Sequence, residues 1–163
     1  MRKQFITWLF LRSQTFYTKY FKKQPAWNLS RKQLLKYPRN TLGYHLGCFL
    51  EKNGFELLPK VEKHDIYHLL TGYGTKVEDE IALQYFCFGN GKRTPYLIGV
   101  LFIGTLILPE SFGYYLKSFQ KGRRANKFHN LPYQIMLDTD FLELQSEVFE
   151  VEPMYLEFQS INV

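Results

Sequence analysis

The sequence predicts an all-α fold, and three observations lead to that prediction. Apolar residues recur at helical spacing, as Leu42, Leu46 and Phe49 do. Glycine and proline residues stop these apolar runs at intervals typical of helices. No segment shows convincing strand alternation, and no internal repeat is visible. Since 163 residues suit one domain, we expect a single-domain bundle of about six to eight helices.

The first third of the chain is basic and aromatic. Residues 1–50 contain no Asp or Glu, whereas residues 138–163 contain no Lys or Arg. A basic segment that carries Trp8, Phe10, Phe16 and Tyr17 favours an anionic lipid surface, and no nucleic-acid-binding motif accompanies it. A solvated basic face is the alternative. We expect no nucleic-acid partner.

The first apolar run, residues 5–11, is too short to span a bilayer and has no small-residue cleavage site after it. We therefore expect neither a signal peptide nor a transmembrane helix, but an amphipathic helix that packs on the body or lies on a membrane. Three regions follow from this reading. Basic aromatic helices span residues 1–37, a metal-binding helical domain spans 38–152, and an irregular tail spans 153–163.

Two short helices should precede the central part of the chain. Ser30 and Gln33 have capping-box spacing and predict a short helix that ends before Pro38. Asn40 is the predicted cap of a helix over residues 41–52, which Gly54 should stop. His45 lies partly on the apolar face of that helix, and we interpret it as structural.

The segment from His64 to Glu80 contains the residues that best indicate a functional site. His64 and His68 are one helical turn apart, so both imidazoles project from one face, and Asp65 can lean toward the same side. Gly72 should end this helix, and a capping box at residues 75–78 should begin the next. An antiparallel hairpin would then bring Glu80 level with the histidines. Two imidazoles and two carboxylates form a mixed site for a divalent metal, with zinc as the default and manganese, iron, cobalt or magnesium as alternatives.

The second half of the chain should contain three more helices. Residues 96–108 are nearly all apolar and predict a central helix buried on all sides, in which Gly99 and Gly104 would let a neighbouring helix or a prenyl-like ligand approach. A helix that begins at Pro109 leads to Lys121, Arg123 and Arg124. These cations either clamp a carboxylate or phosphate or complement the helix C-terminus. Asp138 or Thr139 should cap the last helix.

The two cysteines, Cys48 and Cys87, are far apart and lie in apolar helical contexts. We expect buried free thiols in a reducing compartment. Because neither belongs to a CxxC pair, a cysteine-based zinc site is excluded.

The motif His64-Asp65-x-x-His68, eleven residues, Glu80 resembles the signature of the coenzyme Q biosynthesis protein four family. Leu70-Thr71-Gly72 after the second histidine and Gly122-Arg123-Arg124-Ala125 further along agree with it. The resemblance extends over about residues 38–148.

The resemblance implies a helical protein that is peripheral to a membrane, on its cytoplasmic side, with His64, Asp65, His68 and Glu80 as the metal ligands. It also implies a polyprenylated aromatic quinone precursor or another prenyl lipid as ligand. The implied activity is that of a lyase, an oxidative decarboxylation at the ring carbon that bears the carboxylate. Other quinone-biosynthesis proteins are the implied partners, and we expect a homo-oligomer.

Two other functions are considered. The protein could be a non-catalytic lipid- or quinone-binding scaffold of a biosynthetic complex, with a closed structural metal site. His64-Asp65 is also similar to the paired residues of HD-type phosphohydrolases. That interpretation would need His45 and either Asp138 or Asp140 as further ligands, and it leaves His68 and Glu80 without a role.

Overall fold

The computed structural model describes residues 2–6 and 25–149, and all regular secondary structure in that part of the chain is helical. Residues 2–6 are helical, and we refer to them as the N-terminal helix. Seven further α-helices follow in the order α1 Arg31–Leu34, α2 Leu42–Asn53, α3 Glu62–Thr71, α4 Val77–Gly89, α5 Pro95–Ile107, α6 Phe112–Arg124 and α7 Phe141–Val148. Two 3-10 turns, Pro109–Ser111 and Tyr133–Met136, precede α6 and α7. The predicted all-α bundle is confirmed.

Several predicted helix boundaries are confirmed by the backbone. Ser30 and Gln33 form the capping box of α1, with both reciprocal hydrogen bonds present. Gly54 ends α2 and Gly72 ends α3, and both adopt the left-handed conformation that glycine accommodates without a Cβ clash.

Three predicted caps are wrong by one or two positions. Thr41, not Asn40, caps α2, because the Asn40 side chain instead donates to the Asp140 carboxylate. Helix α4 begins after Lys76 without a side-chain cap, so the predicted capping box is absent there. Asp140 caps α7 in place of Asp138 or Thr139, and its carboxylate accepts from two backbone N–H groups.

Helices α4 and α6 pack with their backbones in close approach, and this contact is the centre of the fold. A Cβ atom on Gly89 would lie 2.2 Å from the Phe119 carbonyl oxygen, and one on Gly122 would lie 2.0 Å from that of Phe86. Glycine at both positions is therefore a packing requirement. The main hydrophobic core includes Leu83 and Phe86 of α4. It draws further buried side chains from α2, α3, α5, α7 and the segment between α6 and α7, among them Leu46, Leu50, Ile66, Leu70, Leu97, Phe128, Tyr133 and Leu144.

Helix α5 is not buried on all sides, and this corrects the prediction. Its inner face buries Leu97, Val100, Leu101 and Gly104. The opposite face exposes Ile98, Phe102, Ile103 and Leu106, with Phe102 72% exposed. The sequence pattern could not reveal this exposed face. The helix is apolar on both faces, so the pattern does not show that the described elements cover only one of them.

No single described helix is both long enough and apolar enough to cross a membrane. Pro95–Ile107 and Pro109–Arg124 satisfy that test only as a pair, and they bend by 106° at the break between them.

The N-terminal helix packs on the corner where α5 meets α6. Ile6 is fully buried in a second hydrophobic cluster with Ile81, Ala82, Leu108 and Tyr115. Arg2 donates to the Ile107 carbonyl and pairs with Glu110 at 3.1 Å. The predicted aromatic anchors Trp8, Phe10, Phe16 and Tyr17 and the predicted tail 153–163 lie outside the described residues, so the proposed division of the chain stays a prediction.

Both cysteines are free thiols, as predicted. Cys87 is buried and Cys48 is half-buried. Burial raises the pKa of Cys87 to about 11, which makes it an unreactive core residue.

Candidate metal centre

Helix α3 presents His64 and His68 from successive turns of one face. Their Nε2 atoms are 3.1 Å apart, and the two rings meet nearly edge to face. His68 is almost fully buried and stacks loosely on Phe49, whereas the His64 side chain is 21% exposed. The predicted one-turn spacing therefore brings both imidazole nitrogens to the same point.

The turn after Gly72 brings Glu80, in the first turn of α4, to the two histidines. Its Oε2 lies 3.0 Å from His64 Nε2 and its Oε1 lies 3.2 Å from His68 Nε2. In the described part of the chain, these three side chains are the one group of three or more His, Cys, Asp or Glu residues whose donor atoms lie within 4.8 Å of one another. We refer to His64, His68 and Glu80 as the triad.

The carbonyl oxygen of Tyr73 fixes the orientation of His68. It lies 3.0 Å from Nδ1, so the imidazole must carry its hydrogen there and donate it. Nε2 then faces Glu80 and His64, and in the neutral imidazole its lone pair would be available to a metal, which is the arrangement that metal-binding histidines use. Gly72 and Gly74 flank Tyr73, and the sequence reading identified only the helix stop there. The glycine stop is visible in the sequence, but the direction of the Tyr73 carbonyl after it is not.

Burial and mutual charge determine the protonation of the triad. Burial acts to raise the pKa of Glu80, but the charge of His64 and the hydrogen bonds from both imidazoles outweigh it, so the pKa lies far below its usual range. Burial also lowers the pKa of His64. For His68 the burial effect is overcome by the hydrogen bond and charge of Glu80, and its pKa is raised. The triad thus keeps one ionised carboxylate against the imidazoles.

The donor set fits a divalent metal. Ligands of a tetrahedral zinc ion are separated by about 3.3 Å. The two imidazole nitrogens of the triad are 3.1 Å apart, and each lies 3.0 or 3.2 Å from a different carboxylate oxygen of Glu80. Two imidazole nitrogens and a carboxylate oxygen suit zinc and also manganese, iron and cobalt. The triad is therefore a group that could hold a metal, as the sequence predicted for three of the four residues.

The fourth predicted ligand, Asp65, does not belong to the triad. It is half-buried on α3, and its charge contributes to the raised pKa of His68. Asp65 therefore lies within electrostatic reach of the site, and its direct ligation stays a prediction.

The predicted substrate residues occupy three different environments. Lys121, Arg123 and Arg124 are exposed in the last turn of α6, where cations are favourable. Gly104 faces Ile81, so it serves the packing of α5 on α4. A Cβ on Gly99 would meet nothing within 4 Å.

The additional residues that an HD-type phosphohydrolase would need are engaged elsewhere. His45 stacks on Phe141 at a ring-centroid distance of 4.4 Å. Asp140 caps α7. The described residues therefore do not bring either of them to the triad.

An open apolar groove of about 600 Å³ lies along the outer side of α5. Residues of α5 line it together with one residue of α4 and Pro109, and the lining side chains are Tyr85, Ile98, Leu101, Phe102, Thr105, Leu106 and Pro109. The Tyr85 hydroxyl and Thr105 hydroxyl are 2.6 Å apart and are the main polar groups in it.

Comparison with known proteins gives a family and a similar fold. The family model described as coenzyme Q (ubiquinone) biosynthesis protein Coq4 matches residues 57–154, which include the whole triad. A crystal structure from Nostoc punctiforme PCC 73102, provisionally named a ubiquinone biosynthesis protein, has a TM-score of 0.60 at 19% identity and covers 83% of this chain and 73% of its own. That likeness shows a shared fold. No curated protein matches the chain in sequence. The family match covers more than half of the chain, and the chain therefore belongs to the coenzyme Q (ubiquinone) biosynthesis protein Coq4 family.

Proposed function

We propose that this protein holds a divalent metal at the triad and acts on a prenylated aromatic precursor in ubiquinone biosynthesis. The observation that carries the proposal is the convergence of His64, His68 and Glu80 across the turn between α3 and α4. Family membership provides the ubiquinone context. Asp65 would become the fourth ligand after a side-chain rotation, and zinc is the first choice of metal.

The reaction that we propose is an oxidative decarboxylation of a hydroxybenzoate-type ring. The bond between the ring carbon and the carboxylate breaks, carbon dioxide leaves, and a hydroxyl from water takes its place. Dioxygen, as the oxidant, accepts two electrons and two protons and leaves as hydrogen peroxide. When bound, the metal supplies a Lewis acid that polarises oxygen groups of the substrate.

The protein's own residues contribute orientation and charge. The Tyr73 carbonyl holds the His68 ring in one tautomer. Glu80 contributes a negative charge because its pKa is far below neutrality. The triad lies next to the core and is only partly open to water, which strengthens electrostatic interactions there.

The groove on α5 is our candidate for the isoprenoid tail. Its lining is apolar, and its volume lies within the range of small-molecule sites. The exposed Phe102 and Leu106 extend the apolar surface beyond the groove. The same surface supports peripheral contact with a membrane, because contiguous exposed apolar patches mark lipid or ligand contacts.

The experiment begins with metal content. The purified protein should contain about one divalent metal ion per chain, and both His68→Ala and Glu80→Ala should lose it. His45→Gln is the matched control, because it removes a histidine that stacks on Phe141 instead of joining the triad. Equal metal content in the wild type and both triad variants would show that the triad does not bind the metal.

Activity is measured second, with a prenylated 4-hydroxybenzoate that carries ¹³C in the carboxylate. Release of labelled carbon dioxide that depends on the metal and on His68 supports the reaction. Tight binding of the same compound without any release would favour the second candidate, a non-catalytic scaffold. That candidate rests on the apolar groove and needs no open coordination position.

A further inference from the structure

One residue of α6, Tyr114, lies against the turn that joins α3 to α4. Its hydroxyl donates to Asp79 Oδ1 at 2.9 Å, and Asp79 directly precedes Glu80 in the first turn of α4. Its ring centroid lies 6.1 Å from that of Tyr73, whose carbonyl accepts from His68 Nδ1. Tyr114 therefore touches the neighbour of one triad residue and the hydrogen-bond partner of another.

The carboxylate of Asp79 lies between Tyr114 and the turn. One of its oxygens accepts the Tyr114 hydroxyl hydrogen. The other fills the space beside Gly74, where a Cβ atom would lie 2.7 Å from Oδ2. Because Gly74 has no side chain, the carboxylate comes close to the backbone that directly follows Tyr73. Asp79 thus connects α6 to the turn.

The ring of Tyr73 is held on two sides. Its centroid lies 5.9 Å from that of Phe86 in α4 and 6.1 Å from that of Tyr114 in α6. A side chain packed between two rings leaves its own backbone little freedom to rotate. The direction of the Tyr73 carbonyl, and with it the orientation of His68, therefore depends on how this ring packs.

Helix α6 is a rigid support for these contacts. Its backbone meets that of α4 at Gly122 and Gly89, where no Cβ could be accommodated. Tyr114 lies on the same helix, about two turns before Gly122. Because the two helices are fixed against each other there, the hydroxyl of Tyr114 has a defined position relative to α4. It can hold the carboxylate of Asp79 in place.

The first turn of α4 depends on such contacts with other elements. Among the described residues, no side chain caps this helix. Glu78 pairs with Lys3 of the N-terminal helix, and Asp79 accepts from Tyr114 of α6. Glu80, the next residue, is the one that reaches the histidines. The Asp79–Tyr114 hydrogen bond is therefore the restraint closest in sequence to the carboxylate of the triad.

We propose that Tyr114 is a positioning residue of the metal centre, which holds Glu80 and the Tyr73 carbonyl in place through Asp79 and the Tyr73 ring. Hydrogen-bonded groups behind metal ligands fix the orientation of those ligands and raise metal affinity. The effect on metal affinity rests on the proposed function. The effect on the hydrogen bond between the Tyr73 carbonyl and His68 does not, because this bond is present without a metal.

The first test is Tyr114→Phe, which removes the hydroxyl and keeps the ring against Tyr73. Tyr114 is 40% exposed, so the variant should fold. Its zinc affinity, measured by competition with a metal-binding dye, should fall about three- to tenfold. Zinc affinity equal to that of the wild type would overturn the proposal.

Tyr133→Phe is the matched control, because it also removes one tyrosine hydroxyl that donates a hydrogen bond. That hydroxyl donates to the Phe128 carbonyl in the buried core, away from the turn. The variant should melt at a lower temperature than the wild type and keep its zinc affinity. Equal losses of zinc affinity in both variants would assign the effect to general stability and would contradict a positioning role.

Variants of Asp79 separate position from charge. Asp79→Asn keeps an oxygen that can accept from Tyr114 and should bind zinc within about threefold of the wild type. Asp79→Ala removes the acceptor and should lose as much affinity as Tyr114→Phe. The double variant Tyr114→Phe/Asp79→Ala should be no more than about twofold weaker than Asp79→Ala, because both residues act through one hydrogen bond. Equal losses in Asp79→Asn and Asp79→Ala would assign the effect to the charge and would overturn the proposal.

A measurement on metal-free protein separates this inference from the proposed function. The hydrogen on His68 Nδ1 donates to the Tyr73 carbonyl, so it should exchange slowly with water in NMR spectra. Tyr114→Phe should speed this exchange about threefold or more, and Tyr133→Phe should leave it unchanged. If the wild type binds no zinc, the proposed function fails, and faster exchange in Tyr114→Phe would still support the inference. Unchanged exchange would overturn the inference even in a chain that binds zinc.

Discussion

At the residue scale, the site depends on one backbone carbonyl as much as on its three side chains. Spacing alone predicted that His64, His68 and Glu80 would converge, because one helical turn and one short loop leave little freedom. Spacing could not predict the partner of His68 Nδ1, since a carbonyl has no sequence signature. It also could not place Asp65, whose side chain can rotate toward the site or away from it.

The left-handed cap at Gly72 should affect both stability and metal affinity. Gly72→Ala introduces a Cβ at a φ of 72° and should cost about 1 kcal/mol of unfolding free energy. Because Tyr73 follows directly, its carbonyl should shift from His68, and metal affinity should fall about 10- to 100-fold. Denaturant unfolding and competition with a metal-binding dye measure the two effects.

Gly54→Ala is the matched control for that prediction. Gly54 caps α2 with a φ of 68°, and a Cβ there would meet nothing within 4 Å. The substitution should cost a similar amount of stability and leave metal affinity unchanged. If both variants bind metal equally well, the carbonyl does not orient His68.

At the element scale, the sequence was informative about where helices lie and poor about what surrounds them. Glycine stops at residues 54 and 72 were predicted correctly because a left-handed cap has a strong local signal. The outward face of α5 was predicted wrongly, because an apolar helix looks the same whether one face or all faces are covered. The α4–α6 contact also escaped prediction, since no sequence pattern marks Gly89 and Gly122 as the points where two helix backbones meet.

The α4–α6 contact gives a sharp test of helix packing. Gly122→Ala would drive a Cβ into the backbone of Phe86, which cannot yield as a side chain could. We expect a loss of about 2 kcal/mol or more in unfolding free energy. Gly113→Ala, in the same helix with nothing within 4 Å, should be neutral or stabilise by up to about 1 kcal/mol. Equal effects on the urea midpoint would contradict the packing described here.

At the scale of the whole molecule, one contact joins parts of the chain that no local pattern could pair. This is the contact of the N-terminal helix, which Ile6 anchors against α4 and α6. The triad is a more local connection, between the consecutive helices α3 and α4. Sequence reasoning treated residues 2–6 only as part of an amphipathic segment, because docking depends on tertiary partners more than 70 residues away.

The N-terminal anchor can be tested with neighbouring residues. Ile6→Ala removes a fully buried side chain and should cost about 2 kcal/mol or more. Phe5 is 55% exposed, so Phe5→Ala should change unfolding free energy by less than about 1 kcal/mol. Thermal melts of the full chain measure the difference, and a reversed order would show that the helix docks through its other face.

Metal removal tests whether the triad joins α3 and α4 across the molecule. A ligand that binds only the folded state stabilises it by about 2.7 kcal/mol when its free concentration is 100 times its dissociation constant. For a domain of this size, chelation should then lower the melting temperature by about 5–10 °C. His68→Ala should melt at one temperature with or without zinc, because its site lacks a nitrogen ligand. If neither zinc nor chelator changes the melting temperature of the wild type, the imidazoles and the carboxylate only pair with each other. An ion that bridges two helices must raise the free energy needed to separate them, so its binding cannot leave the melting temperature unchanged.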